Sequence, residues 1–204
     1  MTVSRAIRML NRPVFTTREI AGIRGGSLSA TSQALQRLQQ EGLIEKVTRG
    51  VWCDPSNPGF TPLALIPFLA GAHRAYLSLL SALHLHGLIE QIPQIVYCAT
   101  TGATRTVKTP QGSFSFHHLH PGFFKGYDWY GTRRDFLVAS PEKALVDCLY
   151  LASRKGSRFR YLPELHLGNN FRFLKARSWL PYIAFPRIRT FVSNRLHELE
   201  ARYR

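Results

Sequence analysis

The stretch TSQALQRLQQEGLIEKVTRGVW, residues 31–52, changes its hydrophobic period midway. Apolar residues first recur at helical spacing, and after Gly42 they alternate around a tight turn. A helix of about a dozen residues that passes at once into a two-stranded hairpin leaves few folds open. The sequence on either side narrows them further.

Residues 2–11 read as a helix with Val3, Ile7 and Leu10 on one face and Arg5, Arg8 and Arg12 on the other. The arginine face is either solvated or turned to phosphates. FTTREIAG opens a second helix, with Thr17 as the expected N-cap, Ile20 and Ala21 inward, and Gly22 to Gly26 as its end. LSATSQALQRLQQEG is the third, capped by Ser29 and stopped by Gly42, with Thr31, Ala34, Leu35 and Leu38 as its buried stripe. Strands are expected at 43–47 and 51–53, joined through Thr48, Arg49 and Gly50, where glycine supplies the positive φ of a tight hairpin.

Three short helices followed by a hairpin give a winged helix-turn-helix over residues 1–55. The outer face of the third helix offers Ser32, Gln33, Gln36, Arg37 and Gln40, with no acid before Glu41. Amides and guanidinium groups bond base edges bidentately in the major groove, and a carboxylate there would repel phosphate. Gln33, Gln36 and Arg37, with Ser29 and Ser32 near the helix start, are the expected base readers; Arg5, Lys46 and Arg49 are the expected phosphate partners. Thr17, Arg18, Thr31, Gln40 and Thr48 complete the candidate set. The alternatives are a winged helix that docks a protein instead and, behind it, a nucleic-acid-processing enzyme.

Charge supports a polyanionic partner. The chain carries 27 Lys and Arg against 12 Asp and Glu, a net +15 over 204 residues. The excess sits at the ends: residues 1–60 have 8 basic and 4 acidic groups, residues 61–150 have 7 and 5, and residues 151–204 have 12 and 3.

DPSNPGFTP reads as a linker, placed at 56–61, before a mixed α/β domain over 62–204. There HRAYLSLLSALHLHGL is expected to be a helix with Tyr76, Leu79, Leu80 and Leu83 on one face. QIVYCATT is a strand, RTVKTPQGSFSFHHLH two strands around Pro110-Gln111-Gly112, and DFLVA another strand. SPEKALVDCLYLASRKG is a helix with Ser140 at the N-cap and Pro141 at N1, apolar nearly all round. Asp147 within it needs a partner if buried, and reads as a structural anchor rather than a catalytic group. The whole chain is therefore expected to be α+β. The tail ends in an amphipathic helix over 187–203, with Ile188, Val192, Leu196, Leu199 and Tyr203 as its stripe. It reads as a docking helix, a second nucleic-acid surface or a partner site, and less well as a membrane-surface helix.

No motif for catalysis stands out: GxSxG, P-loop and GxGxxG patterns are missing, and the middle carboxylates are scattered. No enzyme activity, cofactor or metal is expected. His84 and His86 fall on different sides of a helix, His118 and His120 on one strand face with His117 opposite, and no acid or cysteine stands near them. The three cysteines, Cys53, Cys98 and Cys148, are far apart and read as buried thiols of a cytoplasmic protein. The N-terminus is too polar for a signal peptide, and no run of 18 apolar residues suggests a membrane span.

With these pieces in place, the chain resembles the AbiEi family of antitoxins from type IV toxin–antitoxin systems. The likeness covers roughly residues 3–153 and rests on GLIEKVTRGVW, YLSLLSALHLHGL and VASPEKALVDCLYL. It implies a repressor that binds double-stranded DNA at its own promoter and counteracts a nucleotidyltransferase-like toxin. The N-terminal domain would hold the DNA and the second domain would serve antitoxicity, self-association or both. A monomer or weak dimer, cooperative on DNA, fits that picture.

Overall fold

The computed structural model describes residues 1–154, 158–168 and 171–203. The fold is mixed α+β. Its first part runs α1 (Val3–Leu10), β1 (Val14–Thr16), α2 (Thr17–Arg24), α3 (Leu28–Gln40), β2 (Glu45–Thr48) and β3 (Val51–Cys53). The strands form one antiparallel sheet in the order β1-β3-β2. The hairpin falls where the alternation placed it, although β2 begins two residues later than expected. Strand β1 was not anticipated.

The helix caps are shifted from the sequence expectation. The cap of α2 is Thr16, one residue before Thr17. Its hydroxyl accepts from the Glu19 N–H, while the Glu19 carboxylate accepts from the Thr16 N–H, a reciprocal capping box. The helix continues through Gly22 and ends at Gly25, whose φ of 69° needs glycine. The cap of α3 is Ser27, not Ser29, with its hydroxyl accepting from the Ala30 N–H. In both cases two neighbouring hydroxyl residues compete for the cap, and composition does not choose between them.

Alternation along these strands serves two cores. Phe15 and Trp52, paired across β1 and β3, pack with Val3, Ala6, Ile20, Leu35 and Ile44. The opposite face carries Val14, Val47, Val51 and Cys53, and these belong to the larger cluster of the second part. Val47 sits where the β2–β3 register shifts, a bulge that turns an extra side chain to that side. The connecting segment is built from side-chain turns: Asp54 Oδ1 accepts from the Ser56 N–H and Asn57 Oδ1 from the Gly59 N–H.

The second part continues with α4 (Ile66–Leu69), β4 (Ala75–Leu77), α5 (Leu79–Leu85), β5 (Val96–Thr100), β6 (Arg105–Thr109), β7 (Gly112–His118), β8 (Tyr127–Trp129), β9 (Leu137–Ala139), α6 (Pro141–Ala152), α7 (Phe173–Arg177) and α8 (Pro186–Tyr203). Six strands form one mixed sheet in the order β6-β7-β5-β4-β9-β8. Helix α6 is the hub, with α5, α7, α8 and the 3-10 turn at Arg158–Arg160 packed on it. Ser140 caps it, Pro141 opens it, and it is buried from Glu142 to Ala152. Its expected continuation to Lys155 and Gly156 lies outside the described residues.

Tyr76 lies in strand β4, not in the helix that its spacing suggested. The chain stays extended through Ser78 and then turns at Leu79, a fully buried residue with φ of 55°. That is a costly conformation for a branched side chain, and the surroundings hold it. They include a closed polar network. Asp147 pairs with Lys143 one turn earlier on α6, and both side chains are fully buried. Asp147 also accepts from the hydroxyls of Tyr76 at 2.9 Å and Ser78 at 2.7 Å. Burial pushes the Asp147 carboxyl up, against the opposing pull of Lys143 and the two hydroxyls. The same burial pulls Lys143 down. The network clamps β4 and the start of α5 to α6.

Gly126 takes up position beside this clamp. Its φ is 78°, and a Cβ there would lie 2.7 Å from the Trp179 ring and 2.9 Å from Lys143. His120 has left the strand and caps the turn at Pro121–Phe123, so it shares no strand face with His118. Helix α8 matches the expected tail helix within a residue, with Val192, Leu196 and Leu199 buried. No helix among the described residues is long and apolar enough to cross a membrane.

Candidate nucleic-acid interface

Helix α3 turns Thr31 and Leu35 fully inward. With a turn of 3.6 residues, Ser29, Gln33, Gln36 and Gln40 then fall in line along the opposite side. Ser32 lies on one flank of that line and Arg37 on the other. Ser29, Gln33, Gln36, Arg37 and Gln40 are exposed and Ser32 is half-buried. This face carries five polar groups and one cation before the first carboxylate, Glu41.

Beside it lies an open cleft of about 850 Å³, formed where the starts of α2 and α3 meet the β2–β3 turn. Thr17, Arg18, Ser29, Ser32, Lys46 and Arg49 all line it. The turn is held in place from below, because the Thr17 N–H donates to the Gly50 carbonyl at 2.9 Å. Gly50 has φ of 74°, which the reversal requires. Arg49 is thereby fixed at the hairpin tip, exposed, on the same side as the first turn of α3. Lys46 projects over the Trp52 ring at 5.7 Å.

The nearby acids are occupied or displaced. Glu19 is bound by Thr16 and Arg12, Asp54 by Ser56, and Glu45 by the side-chain amide of Gln111 from the β6–β7 turn. The fold sets the affinity of Glu19 for its proton. Burial acts to raise it, but the hydrogen bonds from Thr16 and the charge of Arg12 prevail and hold it below its ordinary value.

Two candidate residues are not available to a partner. Thr31 is fully buried, and its hydroxyl accepts from the Arg24 guanidinium at 3.1 Å. Thr17 is buried apart from its place on the cleft floor, and its hydroxyl accepts from the Trp52 indole N–H at 2.8 Å. Both hydroxyls are spent inside the protein. Arg5 is exposed on α1 and Thr48 on β2, and neither lines the cleft.

Thr16, Leu28, Gly50, Val51 and Trp52 line the cleft as well and lie outside the candidate set. Leu28 opens α3 at 51% exposure and lines the cleft beside Arg18. Helical period alone puts it close to the buried stripe, so spacing gave no sign that it would face solvent. Elsewhere, among the described residues, no group of three or more His, Cys, Asp or Glu could hold a metal ion. A comparison with protein-family models matches none of them, and a comparison with curated proteins gives no match either.

Proposed function

We propose that residues 1–55 are a winged helix-turn-helix that binds double-stranded DNA, and that the chain is a cytoplasmic transcriptional repressor. The order helix–strand–helix–helix–hairpin supports the first half of this reading. The observation that carries it is the acid-free amide and arginine face of α3 beside a cleft that also presents Arg18, Lys46 and Arg49. Helix α3 enters the major groove, Gln33, Gln36 and Arg37 meet base edges, and the hairpin tip reaches the phosphate backbone. Residues 62–204 form the second domain in this reading.

The antitoxin role rests on the resemblance to AbiEi proteins. The last of its motifs has a structural duty here: Ser140, Pro141, Lys143 and Asp147 of SPEKALVD cap a helix and clamp a strand.

Anisotropy titrations with the DNA upstream of the gene test the first claim. Gln33→Ala and Arg37→Ala are expected to abolish sequence preference and leave salt-dependent residual binding. Unchanged affinity for every sequence would defeat the groove-reading assignment. Co-expression with a neighbouring nucleotidyltransferase-like reading frame tests the antitoxin role, and rescue of growth is the expected result.

A further inference from the structure

We propose that a second cleft, between the end of α6, the turn at Arg158–Arg160 and the start of α8, binds single-stranded nucleic acid through its phosphates and base faces. This cleft measures about 620 Å³ and brings together Arg154, Arg160 and Arg187 over a floor that includes Ile188 and Phe191. Three separate segments each contribute one guanidinium. Arg154 is already oriented, with its Nη2 donating to the His118 carbonyl at 3.1 Å and its guanidinium 5.9 Å from the Tyr150 ring.

Ion pairs are unevenly spread over α7 and α8. Arg195 pairs with Glu198, Arg177 with Glu200 and Lys175 with Glu142. Both cations of α7 and Arg195 of α8 are thus neutralised. Arg154, Arg160, Arg187 and Arg189 have no carboxylate within ion-pair distance among the described residues. Like charges gathered without counter-charge repel one another, and a bound polyanion relieves that repulsion.

Aromatic rings accompany these arginines. Tyr161 follows Arg160 and is 85% exposed, and Phe185 stands two residues before Arg187 at 55%. Arginine interleaved with exposed rings is the arrangement that takes a strand whose bases are free to stack. In a duplex the base faces are covered, so a duplex would use the charges and leave the rings idle. A membrane surface is a poorer fit, because α8 buries its apolar stripe of Val192, Leu196 and Leu199 inside the protein. This inference does not depend on the groove-reading role of α3.

The test uses the full chain with labelled single strands of about 12 nucleotides, as DNA and as RNA, and with the same sequence as duplex. Binding of either single strand is expected. Arg160→Ala with Arg187→Ala should weaken it about tenfold or more and reduce the slope of log affinity against log salt by about 1.4. Lysine at both positions should retain most of the slope. Tyr161→Ala should weaken binding about fivefold and leave the slope unchanged. Gln33→Ala with Arg37→Ala should not affect it, which separates this site from the duplex site. Absence of single-strand binding at low salt would overturn the proposal, as would arginine variants that bind like the parent. Equal displacement by polyglutamate would overturn it too, and would point to an acidic protein as the partner.

Discussion

Val51 and Trp52 are consecutive in strand β3 and belong to different hydrophobic cores. Trp52 packs on the three N-terminal helices, while Val51 and its next-but-one neighbour Cys53 pack into the core around the six-stranded sheet. The sheet of the first part is therefore a wall shared by both. Equilibrium denaturation of the whole chain is expected to show one cooperative transition by fluorescence and by circular dichroism. A fragment ending at residue 55 would expose Val14, Val47, Val51 and Cys53 and should be aggregation-prone or partly unfolded. A stably folded, monomeric fragment with native melting would refute the shared-wall account.

The sequence disclosed the first part well because its signals are local. Period, the Gly-containing turn and the acid-free face of α3 all lie within 22 residues. The second use of β3 was illegible, since VWC is too short to tell a strand buried on both sides from a wing with one wet face. Tyr76 shows the opposite failure. Its spacing to Leu79, Leu80 and Leu83 fits a helix, yet the tyrosine hydroxyl is required at Asp147, on a helix 71 positions away. A contact at that range has no trace in local periodicity. Asp147 itself was readable: an acid among apolar residues in mid-helix implied a buried partner, though not that Lys143 would supply it.

Removing one member of the Lys143–Asp147 pair leaves the other charge buried alone. Asp147→Asn is expected to lower stability by about 3–5 kcal/mol. Replacing both residues, as Lys143→Met with Asp147→Leu, should recover much of that loss. A double variant no better than the single one would mean that the hydroxyls of Tyr76 and Ser78, rather than the charges, need the site.

Glu19 gives the fold a pH dependence of known sign. Its carboxyl titrates below the ordinary value of 4.5 because Thr16 and Arg12 stabilise the ionised form against the cost of burial. The ionised form therefore contributes stability above that ordinary value, and the contribution is lost as pH falls through the lower folded value. Melting temperatures followed from pH 7 to pH 3 should fall less steeply for Glu19→Gln than for the parent. An unchanged slope would remove Glu19 from the account.

The thiols should be silent in the folded protein. Burial, helped by the carboxylates of Glu45 and Asp54, pushes Cys53 up to about 12. Burial raises Cys98 as well, and burial with the charge of Asp147 raises Cys148. Because the thiolate is the reactive form, a colorimetric thiol reagent at pH 8 should titrate close to none in the native protein. All three should react in denaturant. Rapid modification of Cys53 alone would indicate that the shared wall opens.

On the proposed reading the hairpin tip supplies charge and α3 supplies discrimination, so the two should fail differently. Arg49→Ala and Lys46→Ala remove the proposed phosphate partners. Each is expected to weaken duplex binding by a similar factor for all sequences and to reduce the salt slope by about 0.9. Gln36→Ala removes a proposed base-edge partner. It should narrow the gap between specific and non-specific DNA by about 1–3 kcal/mol at unchanged slope. Thr31→Val serves as an internal contrast, since that hydroxyl is buried against Arg24 and faces no ligand. It should alter melting temperature and leave specificity alone. If Thr31→Val changed sequence preference while Gln36→Ala did not, the face of α3 assigned to the groove would be the wrong one.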